Sequence, residues 1–243
     1  MLRLLVCIVL LSFASVSFGQ TLSLTETTVV RSKYVFGNGN VVSKKSVVQT
    51  DFCVGYGDFW FDGWGSLPLS LSHVGDDYRT ELYPTVGWTK KVGDYKLTLY
   101  AGFDDLYRTG TIEKTDFMIF AGEVSRDFQV TDSLTLSPFF HVETNFTFDG
   151  KVNGDTLLRV GSYFSWKVNN FLSFNGKAYL LYDPGILSNQ TAVIGNIEGT
   201  PRLMFNDHFY LEVPYLRYVD PLNSVSDGRR GTFVTGFNFV YKF

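Results

Sequence analysis

His141 and Glu143 are the two residues whose types and spacing come nearest to an acid–base pair. Residues two apart on an extended strand point to the same side, so the imidazole and the carboxylate are predicted to be neighbours. A carboxylate that orients a histidine can make it a general base, but covalent chemistry also needs a nucleophile within reach. The sequence identifies no such nucleophile. An enzyme that modifies membrane lipids would also need this pair on a lipid-facing side of its strand. We therefore predict that His141 is a hydrogen-bonding residue rather than a catalytic base.

The other two histidines complete no catalytic group. His73 lies with Asp76 and Asp77 in a long predicted loop. The only Asp-His dipeptide, Asp207-His208, lies in a turn at the opposite end of the predicted strands, so these residues do not meet. The sequence contains no closely spaced cysteines and no His-x-x-x-His spacing, and it therefore predicts no metal site and no cofactor. We predict that the chain is not an enzyme.

Alternation of apolar and polar residues, rather than a helical period, organises the chain that must position these residues. Between Leu134 and Phe146, for example, apolar residues occupy one strand face and polar residues the other. Twelve strands follow from this pattern. They are predicted at 24–37, 44–56, 58–67, 79–91, 94–105, 113–126, 132–147, 155–168, 171–183, 191–205, 208–219 and 231–243. Ten or fourteen strands are the alternatives, because weak strand signals can be merged or split.

The connections between these strands alternate between short and long. Every second connection is a tight turn of Gly, Asn, Asp or Thr, and the first three of these residue types reach the backbone angles of tight hairpins. The tight turns contain Gly57-Asp58, Gly93-Asp94, Thr131-Asp132, Asn169-Asn170 and Asn206-Asp207. Outer-membrane barrels have short turns at the periplasmic end and longer loops at the outer end. The alternation therefore predicts that both termini are periplasmic.

The apolar strand faces require an apolar environment. After the N-terminal segment, the chain contains no run of about 20 apolar residues, so membrane-spanning helices are excluded. A chain that crosses a membrane with strands must close into a barrel, because only closure satisfies every backbone group. We predict an all-β fold, a closed antiparallel up-and-down transmembrane β-barrel. A soluble sandwich with aromatic inner faces is the alternative.

The last strand carries the strongest signal for a membrane environment. Phe237, Phe239, Tyr241 and Phe243 fall on one parity, with small or polar residues between most of them. This arrangement, ending on an aromatic residue, resembles the C-terminal signature strand of Gram-negative outer-membrane barrels. The resemblance implies a bacterial outer-membrane location beside lipids and lipopolysaccharide. It also makes these four residues the predicted signal for the barrel-assembly machinery.

The N-terminus is typical of an exported protein. A short basic segment precedes an apolar run over 4–16 and a Ser-Phe-Gly segment at 17–19. This pattern predicts a signal peptide over 1–19 and a single barrel domain over 20–243. Cys53 is then the only cysteine, so no internal disulfide is available. The chain has 21 basic and 24 acidic residues, which argues against nucleic acid as a partner.

Aromatic residues are predicted to form two girdles at the two membrane interfaces. Those near the periplasmic ends of the strands are Tyr56, Phe59, Trp88, Tyr95, Trp166, Phe209, Tyr241 and Phe243. Those near the outer ends are Tyr34, Phe36, Phe103, Phe146, Tyr182, Tyr215 and Phe233.

If the apolar parity faces lipid, the opposite parity faces the lumen. Charged residues on the lipid face would each cost ~2–4 kcal/mol at the membrane midplane for Lys or Arg, so their concentration on one parity supports this assignment. The residues predicted to line the lumen are Arg31, Asp51, Asp62, Glu81, Lys96, Asp116, His141, Glu143, Arg159, Lys177, Glu198, Arg202 and Glu212.

The lumen residues are close to balanced in sign, and this balance bears on function. A ring of one sign selects solutes of the other, whereas mixed charges pair and neutralise one another. We predict a narrow porin-like channel for small solutes with weak charge selectivity. The alternatives are a closed structural or surface-recognition barrel and, less favoured, an outer-membrane lipid-modifying enzyme.

The lumen composition also bears on the solute. Channels for acidic oligosaccharides carry tracks rich in Arg, and this chain has none, so a polyanionic sugar is a poor candidate. Inward aromatic residues could line a stacking path for nucleoside-type solutes, or they could simply fill space. They are Tyr83, Tyr100, Phe139, Tyr163 and Tyr179.

Several short motifs in the first half of the chain resemble those of a family of small proteobacterial outer-membrane proteins sometimes called Gcw. The motifs are Ser32–Gly37, Trp64–Ser66, Glu81–Leu82 followed by Gly87, and Tyr100–Phe103 followed by Tyr107. The match spans roughly residues 28–107, together with the terminal strand. The resemblance implies a signal peptide and a barrel, and it implies no established activity.

Overall fold

Twelve antiparallel strands form one closed barrel in a computed structural model that describes residues 22–69, 81–105, 116–147, 155–185 and 190–243. The strands are β1 (Leu22–Arg31), β2 (Val47–Tyr56), β3 (Phe59–Pro68), β4 (Glu81–Val92), β5 (Tyr95–Asp104), β6 (Phe117–Arg126), β7 (Leu134–Thr147), β8 (Thr156–Lys167), β9 (Leu172–Asp183), β10 (Ala192–Met204), β11 (Phe209–Pro221) and β12 (Thr232–Lys242). Each strand pairs with the next in sequence. The barrel closes where β12 pairs with β1, with Val30 opposite Phe237.

The predicted fold class and the number of twelve strands are confirmed. Most boundaries agree to within two or three residues, because the residues that end a strand are the turn residues visible in the sequence. Two strands are shorter than predicted. The first ends at Arg31 instead of continuing to 37, and the sixth begins at Phe117, with 113–115 outside the described residues.

The two ends of the barrel differ, and we name them by their connections. The turn end carries the tight turns, for example Gly57-Asp58 between β2 and β3, and the C-terminus. The loop end carries the longer connections, which include 32–46 and 222–231. We call the halves of the lumen next to these ends the turn half and the loop half. The predicted signal peptide over 1–19 and the loop residues His73, Asp76 and Asp77 lie outside the described residues.

The outer surface of the barrel is apolar through the middle of the strands. Val86, Leu99, Phe120, Val160 and Ile197 are 51–62% exposed. Leaving one such side chain in water instead of burying it costs roughly 1.5–3 kcal/mol, and the strands repeat the pattern around the barrel. A continuous apolar surface of this kind requires an apolar environment. No helix in the described part of the chain is long and apolar enough to cross a membrane.

The connection after β1 folds inward and does not extend outward as a loop. Tyr34–Val35 pairs with Val41–Ser43 to form a short hairpin, which we call the inner hairpin (residues 34–43). Its turn is closed by a hydrogen bond from the Gly39 amide to the Phe36 carbonyl at 3.1 Å. Gly39 has a φ of 87°, a left-handed conformation that glycine adopts without strain.

The inner hairpin packs against strands from both sides of the barrel. Val35 is 2% exposed and lies in an apolar cluster with Leu157, Leu181, Ile194, Val219 and other inward side chains of β8 to β12. Phe36 packs on a second cluster formed by inward residues of β6, namely Phe117, Ile119 and Ala121. The inner hairpin therefore spans the lumen in the loop half, where the sequence predicted only the end of a strand and an outer loop.

Three aromatic residues of the predicted outer girdle lie inside the barrel instead. Tyr34 and Phe36 belong to the inner hairpin. Tyr215 points inward, because the register of β11 against β12 shifts between Glu212 and Tyr215 and reverses the parity of the rest of β11. Other predicted girdle residues lie on the outer surface, among them Phe146, which is 50% exposed.

Candidate functional site

The interior face of the barrel concentrates the charged residues of the strands. Residues from the predicted lumen set that lie on inward strand faces are Arg31, Asp51, Asp62, Glu81, Lys96, His141, Glu143, Arg159, Lys177, Glu198, Arg202 and Glu212. The structure groups several of these residues into ion-paired networks.

Asp116 is placed differently from the rest of that set. It is fully buried but precedes the first residue of β6. The inward face of β6 is formed by the odd-numbered residues, because Phe117 pairs with inward Asp104 and Glu123 pairs with inward Thr98. Glu123, which the predicted lumen set did not include, is therefore the inward carboxylate of β6.

His141 lies at the centre of a buried network in the middle of the lumen. The Arg159 guanidinium donates to His141 Nε2 at 3.0 Å and to Glu143 Oε2 at 2.8 Å. Because a guanidinium only donates, Nε2 accepts and the ring proton lies on Nδ1, which is 3.4 Å from Glu123 Oε2. The Tyr163 hydroxyl donates to the same Glu123 oxygen at 3.0 Å. In the described part of the chain His141 bonds to no hydroxyl or thiol, so these residues form a hydrogen-bonded network without a nucleophile.

A second network joins the wall to the inner hairpin. Lys177 Nζ lies 3.0 Å from Glu198 Oε1, and the Tyr215 hydroxyl donates to Glu198 Oε2 at 2.5 Å. Arg217 donates to the Val35 carbonyl at 3.0 Å and to Asn196 Oδ1 at 2.9 Å. Arg217 thus supplies a hydrogen-bond donor to a buried carbonyl of the hairpin, as buried backbone groups require.

At the loop end, Arg229 holds the turn of the inner hairpin. It is 6% exposed and donates to Asp183 Oδ2 at 2.6 Å and to the Asn38 carbonyl at 3.2 Å. It also pairs with Asp227 at 2.7 Å, and this hydrogen-bonded partner lowers the pKa of the Asp227 carboxyl to about 2. We call Arg229, Asp183, Asp227 and the Asn38 carbonyl the Arg229 latch.

Among the residues that the structure describes, the turn half contains ion pairs and no inserted backbone. Arg202 donates to Glu212 Oε1 at 3.0 and 2.7 Å, through two of its nitrogens. The Asn238 amide donates to the other oxygen of Glu212. The Arg202 guanidinium also lies over the Tyr210 ring at 4.1 Å. These contacts involve only side chains of β10, β11 and β12.

Residues that the structure describes line three cavities along the lumen. The largest, about 410 Å³, lies between the inner hairpin and the inward faces of β3 to β8. A second cavity of about 220 Å³ lies deeper, around His141 and Lys177, and a third of about 210 Å³ lies around Arg31 and Arg217. The first and second share Tyr100 and Arg159, whereas the first and third share Tyr34 and Trp64. Single side-chain layers therefore separate neighbouring cavities.

The sequence did not identify several residues that hold the interior together. Arg217 was missed because the register shift in β11 reverses the parity that places Glu212 inward. Pro214, next to that shift, is the signal that could have indicated it, since proline in a strand favours bulges. Arg229 and Asn38 lie in connections, where strand alternation carries no information. Glu123 was missed because apolar and polar residues alternate less cleanly in β6 than in most other strands.

Searches with the sequence and with the fold give different results. No protein-family model and no curated protein matches the chain. Solved structures do match its fold. The KdgM porin superposes with a TM-score of 0.52 at 8% identity, over 91% of this chain and 99% of that chain. The COG4313 outer membrane channel from Pseudomonas putida F1 has a TM-score of 0.51 at 12% identity, over 94% of this chain and 97% of that chain.

A third structure leads to the same class. The NanC porin superposes with a TM-score of 0.50 at 11% identity, over 92% of this chain and 99% of that chain. At these identities the likeness shows a shared fold. The chain therefore has the twelve-stranded barrel fold of outer-membrane porins and channels.

Proposed function

We propose that this protein is a narrow outer-membrane channel for small solutes, with no enzymatic activity. The observation that carries the proposal is the series of three adjoining cavities in a lumen lined by charged and polar side chains. The apolar clusters around the inner hairpin fill only part of the lumen, whereas the solid core of a soluble domain would bury apolar residues throughout. A lumen with polar walls and internal space is instead suited to water and small polar solutes.

The apolar outer surface supports the membrane location. It surrounds the barrel at the level of Val86, Leu99 and Ile197. A lipid environment removes the free-energy cost of exposing these apolar side chains to water. We propose lipids and lipopolysaccharide as neighbours, periplasmic termini and an exported precursor whose signal peptide spans 1–19. Membership of the Gcw family belongs to the same proposal and rests on the short motifs in the first half of the chain.

The terminal strand supports a route of assembly. Phe239, Tyr241 and Phe243 are 43–63% exposed on the outer face of β12, and Phe237 lies on the same face. We propose that this aromatic row is read by the barrel-assembly machinery. Removal of Phe243 is expected to reduce the amount of heat-modifiable barrel in outer membranes while leaving refolding in detergent intact. Equal amounts of barrel in the membrane would contradict this role.

The pairing of charges in the lumen restricts the class of solute that the channel can accept. A structure of the KdgM porin is a complex with disordered oligogalacturonate, which is a polyanion. In this chain most lumen arginines are engaged by carboxylates: Arg159 by Glu143, Arg202 by Glu212, Arg217 by Glu198, and Arg229 by Asp183 and Asp227. Arg31 instead lies over the Tyr215 ring. Such pairing leaves little free positive charge for a polyanion, so we propose small solutes instead.

A closed structural barrel is the second candidate, and the inner hairpin favours it. Val35 and Phe36 pack against opposite walls of the loop half, which leaves only side-chain-sized spaces around them. In that case the barrel would display its outer loops and conduct nothing.

Single-channel recording of refolded protein in a planar bilayer distinguishes the two candidates. We expect discrete steps of small conductance, because the cavities are separated by single side chains. A preparation that shows heat-modifiable migration and yet no steps would overturn the channel and leave the closed barrel.

A further inference from the structure

The largest cavity differs from the rest of the lumen in both size and charge. Its volume of about 410 Å³ falls within the range of about 300–1,000 Å³ that is typical of small-molecule sites. One wall is the inner hairpin, which contributes Tyr34 and Phe36, and the opposite walls come from the inward faces of β3 to β8. The cavity is therefore a compartment made by the hairpin rather than a general feature of the barrel.

The lining of this cavity carries an excess of carboxylates. Asp62, Glu81, Asp104 and Glu143 line it, and Arg159 is the cation among the described lining residues. Arg159 is already engaged by Glu143 at 2.8 Å. Asp62, Glu81 and Asp104 are left without a cationic partner in the cavity wall, whereas the carboxylates of the turn half are paired, as Glu212 is with Arg202.

Oxygen atoms of these three residues also lack hydrogen-bond partners. Glu81 Oε2, Asp104 Oδ1 and Asp62 Oδ1 are buried and accept no hydrogen bond. Glu81 and Asp104 are each only 5% exposed, so bulk water does not supply the missing donors freely. Buried acceptors without donors are uncommon in folded proteins, and each such group calls for an explanation. Glu81 hydrogen-bonds to Asp104 and Asp62 to Asp51, so each pair shares a proton and one negative charge remains on it. The oxygens without partners still lack a donor.

Aromatic rings provide the rest of the wall. Tyr34, Phe36, Trp64, Tyr83 and Tyr100 line the cavity. Tyr34 contacts Trp64 with ring centroids 5.7 Å apart and Phe36 at 5.3 Å. The faces of aromatic rings attract ammonium and guanidinium groups, and Trp and Tyr do so more strongly than Phe.

We propose that this cavity is a binding site for a small organic cation, a compound of a few carbon atoms with an amine or guanidinium group. The cation donates hydrogen bonds to Glu81, Asp104 and Asp62, and its carbon atoms contact the aromatic rings. The proposal deepens the proposed channel function, on which it rests, by naming the chemical class of the solute. It replaces weak charge selectivity with a preference for cations.

Titration calorimetry on the refolded protein in detergent tests the site, because it requires no conduction. The probes are putrescine and agmatine, whose amine and guanidinium groups donate hydrogen bonds, with glucose as a neutral comparison. We expect saturable binding of at least one amine and no measurable binding of glucose. Failure of both amines to bind, or binding of glucose with equal affinity, would overturn the proposal.

Two variants locate the binding. Glu81→Gln combined with Asp104→Asn removes the acidic charge with little change in shape and is expected to weaken amine binding at least tenfold. Glu212→Gln removes the same kind of charge from the turn half and is the matched control, with binding unchanged. If the double variant does not refold, each single variant is expected to weaken binding at least threefold. If the variants that lack the acidic charge fold and still bind the amines with wild-type affinity, the proposed site is also wrong.

Bilayer recording separates this proposal from the channel itself. Amine binding without conductance would retain the site and reject the channel. Conductance without amine binding would retain the channel and reject the site. With both present, the reversal potential in a KCl gradient should favour K⁺ over Cl⁻ in the wild type, and less so in the Glu81→Gln, Asp104→Asn variant.

Discussion

The loop half and the turn half of the lumen are filled in different ways. In the turn half, ion pairs such as Arg202 with Glu212 join neighbouring strands and belong to the wall itself. In the loop half, a separate piece of backbone crosses the lumen, and wall arginines bond to its carbonyls. The wall is held by hydrogen bonds along every strand, whereas the inner hairpin is held by a few contacts. The hairpin is therefore the part of the interior that can move without opening the barrel.

The free energies that these contacts contribute support this distinction between the wall and the inner hairpin. A hydrogen bond to a charged group contributes about 1.5–3 kcal/mol, and burial of a side chain such as Val35 contributes roughly 1.5–3 kcal/mol. Arg217, Arg229 and Val35 together hold the hairpin with several kcal/mol, before the conformational entropy of ordering it is subtracted. Local opening of such a segment is expected to need less free energy than global unfolding. The predictions below test the two halves against each other.

Replacing residues 34–43 with a flexible Gly-Ser linker should have the largest effect. It removes the backbone that crosses the loop half and leaves the strand ladder intact, so we expect single-channel conductance to rise several-fold. Heat-modifiable migration should be retained, because the barrel closes through β1 and β12. Conductance at the wild-type level would show that the narrowest point lies in the turn half instead.

The substitution Arg217→Ala should have the second-largest effect on channel opening. The change removes the donors to the Val35 carbonyl and to Asn196, and a buried carbonyl left without a partner costs about 1–3 kcal/mol. We expect longer and more frequent open periods in bilayer recordings.

The matched control for Arg217→Ala is Arg202→Ala in the turn half. It also removes an arginine that bonds a polar side chain, but Arg202 contacts Glu212 and not the hairpin. We expect gating close to that of the wild type. Equal changes in the two variants would mean that gating responds to lumen charge and not to attachment of the hairpin.

Gly39→Ala should have a moderate effect of the same kind. Gly39 has a φ of 87°, and an alanine there is strained by ~1–2 kcal/mol. The strain destabilises the hairpin in its position inside the lumen. The channel should therefore spend a larger fraction of the time open. Gly93→Ala provides the control, since Gly93 has a φ of 61° in the tight turn between β4 and β5, away from the hairpin. An equal or larger effect at position 93 would contradict a moving element in the inner hairpin.

Lowering the pH should have the smallest effect on the open fraction of the channel, and it should act through the Arg229 latch. Arg229 lowers the pKa of Asp227 to about 2, below the ordinary value of about 3.9. A lowered folded-state pKa means that the contribution of this pair is fully present above about pH 4 and is lost as the pH falls toward 2. The open fraction of the wild type should be flat from pH 7 to 4 and rise below it. Asp227→Asn should lack the rise, and an identical rise in that variant would exclude Asp227 as its source.

Much of the barrel can be predicted from the sequence because the information is local. In β7, His141 and Glu143 lie inward and Phe146 outward, as alternation requires, because strand parity depends only on the spacing of residues along the chain. The turn residues Gly57 and Gly93 have φ angles of 60° and 61°, which is why glycine at these positions predicts a hairpin correctly.

Local rules fail where the chain departs from regular pairing. The register shift in β11 reverses the parity between Glu212 and Tyr215, so alternation placed Tyr215 on the outer surface and overlooked Arg217. Alternation is also less clean in β6, where Asp116, predicted to line the lumen, lies just before the first residue of the strand.

The sequence by itself determined the number of strands, the faces of the regularly paired strands and the charged character of the lumen, because each follows from residues close together in the chain. Only the tertiary structure decided that residues 34–43 enter the barrel. The contacts that hold them come from Asn196, Arg217 and Arg229, which lie 159, 182 and 191 residues from their bonding partners in the hairpin. No periodicity encodes such a contact, because it exists only once the barrel has closed and brought opposite walls to the same segment.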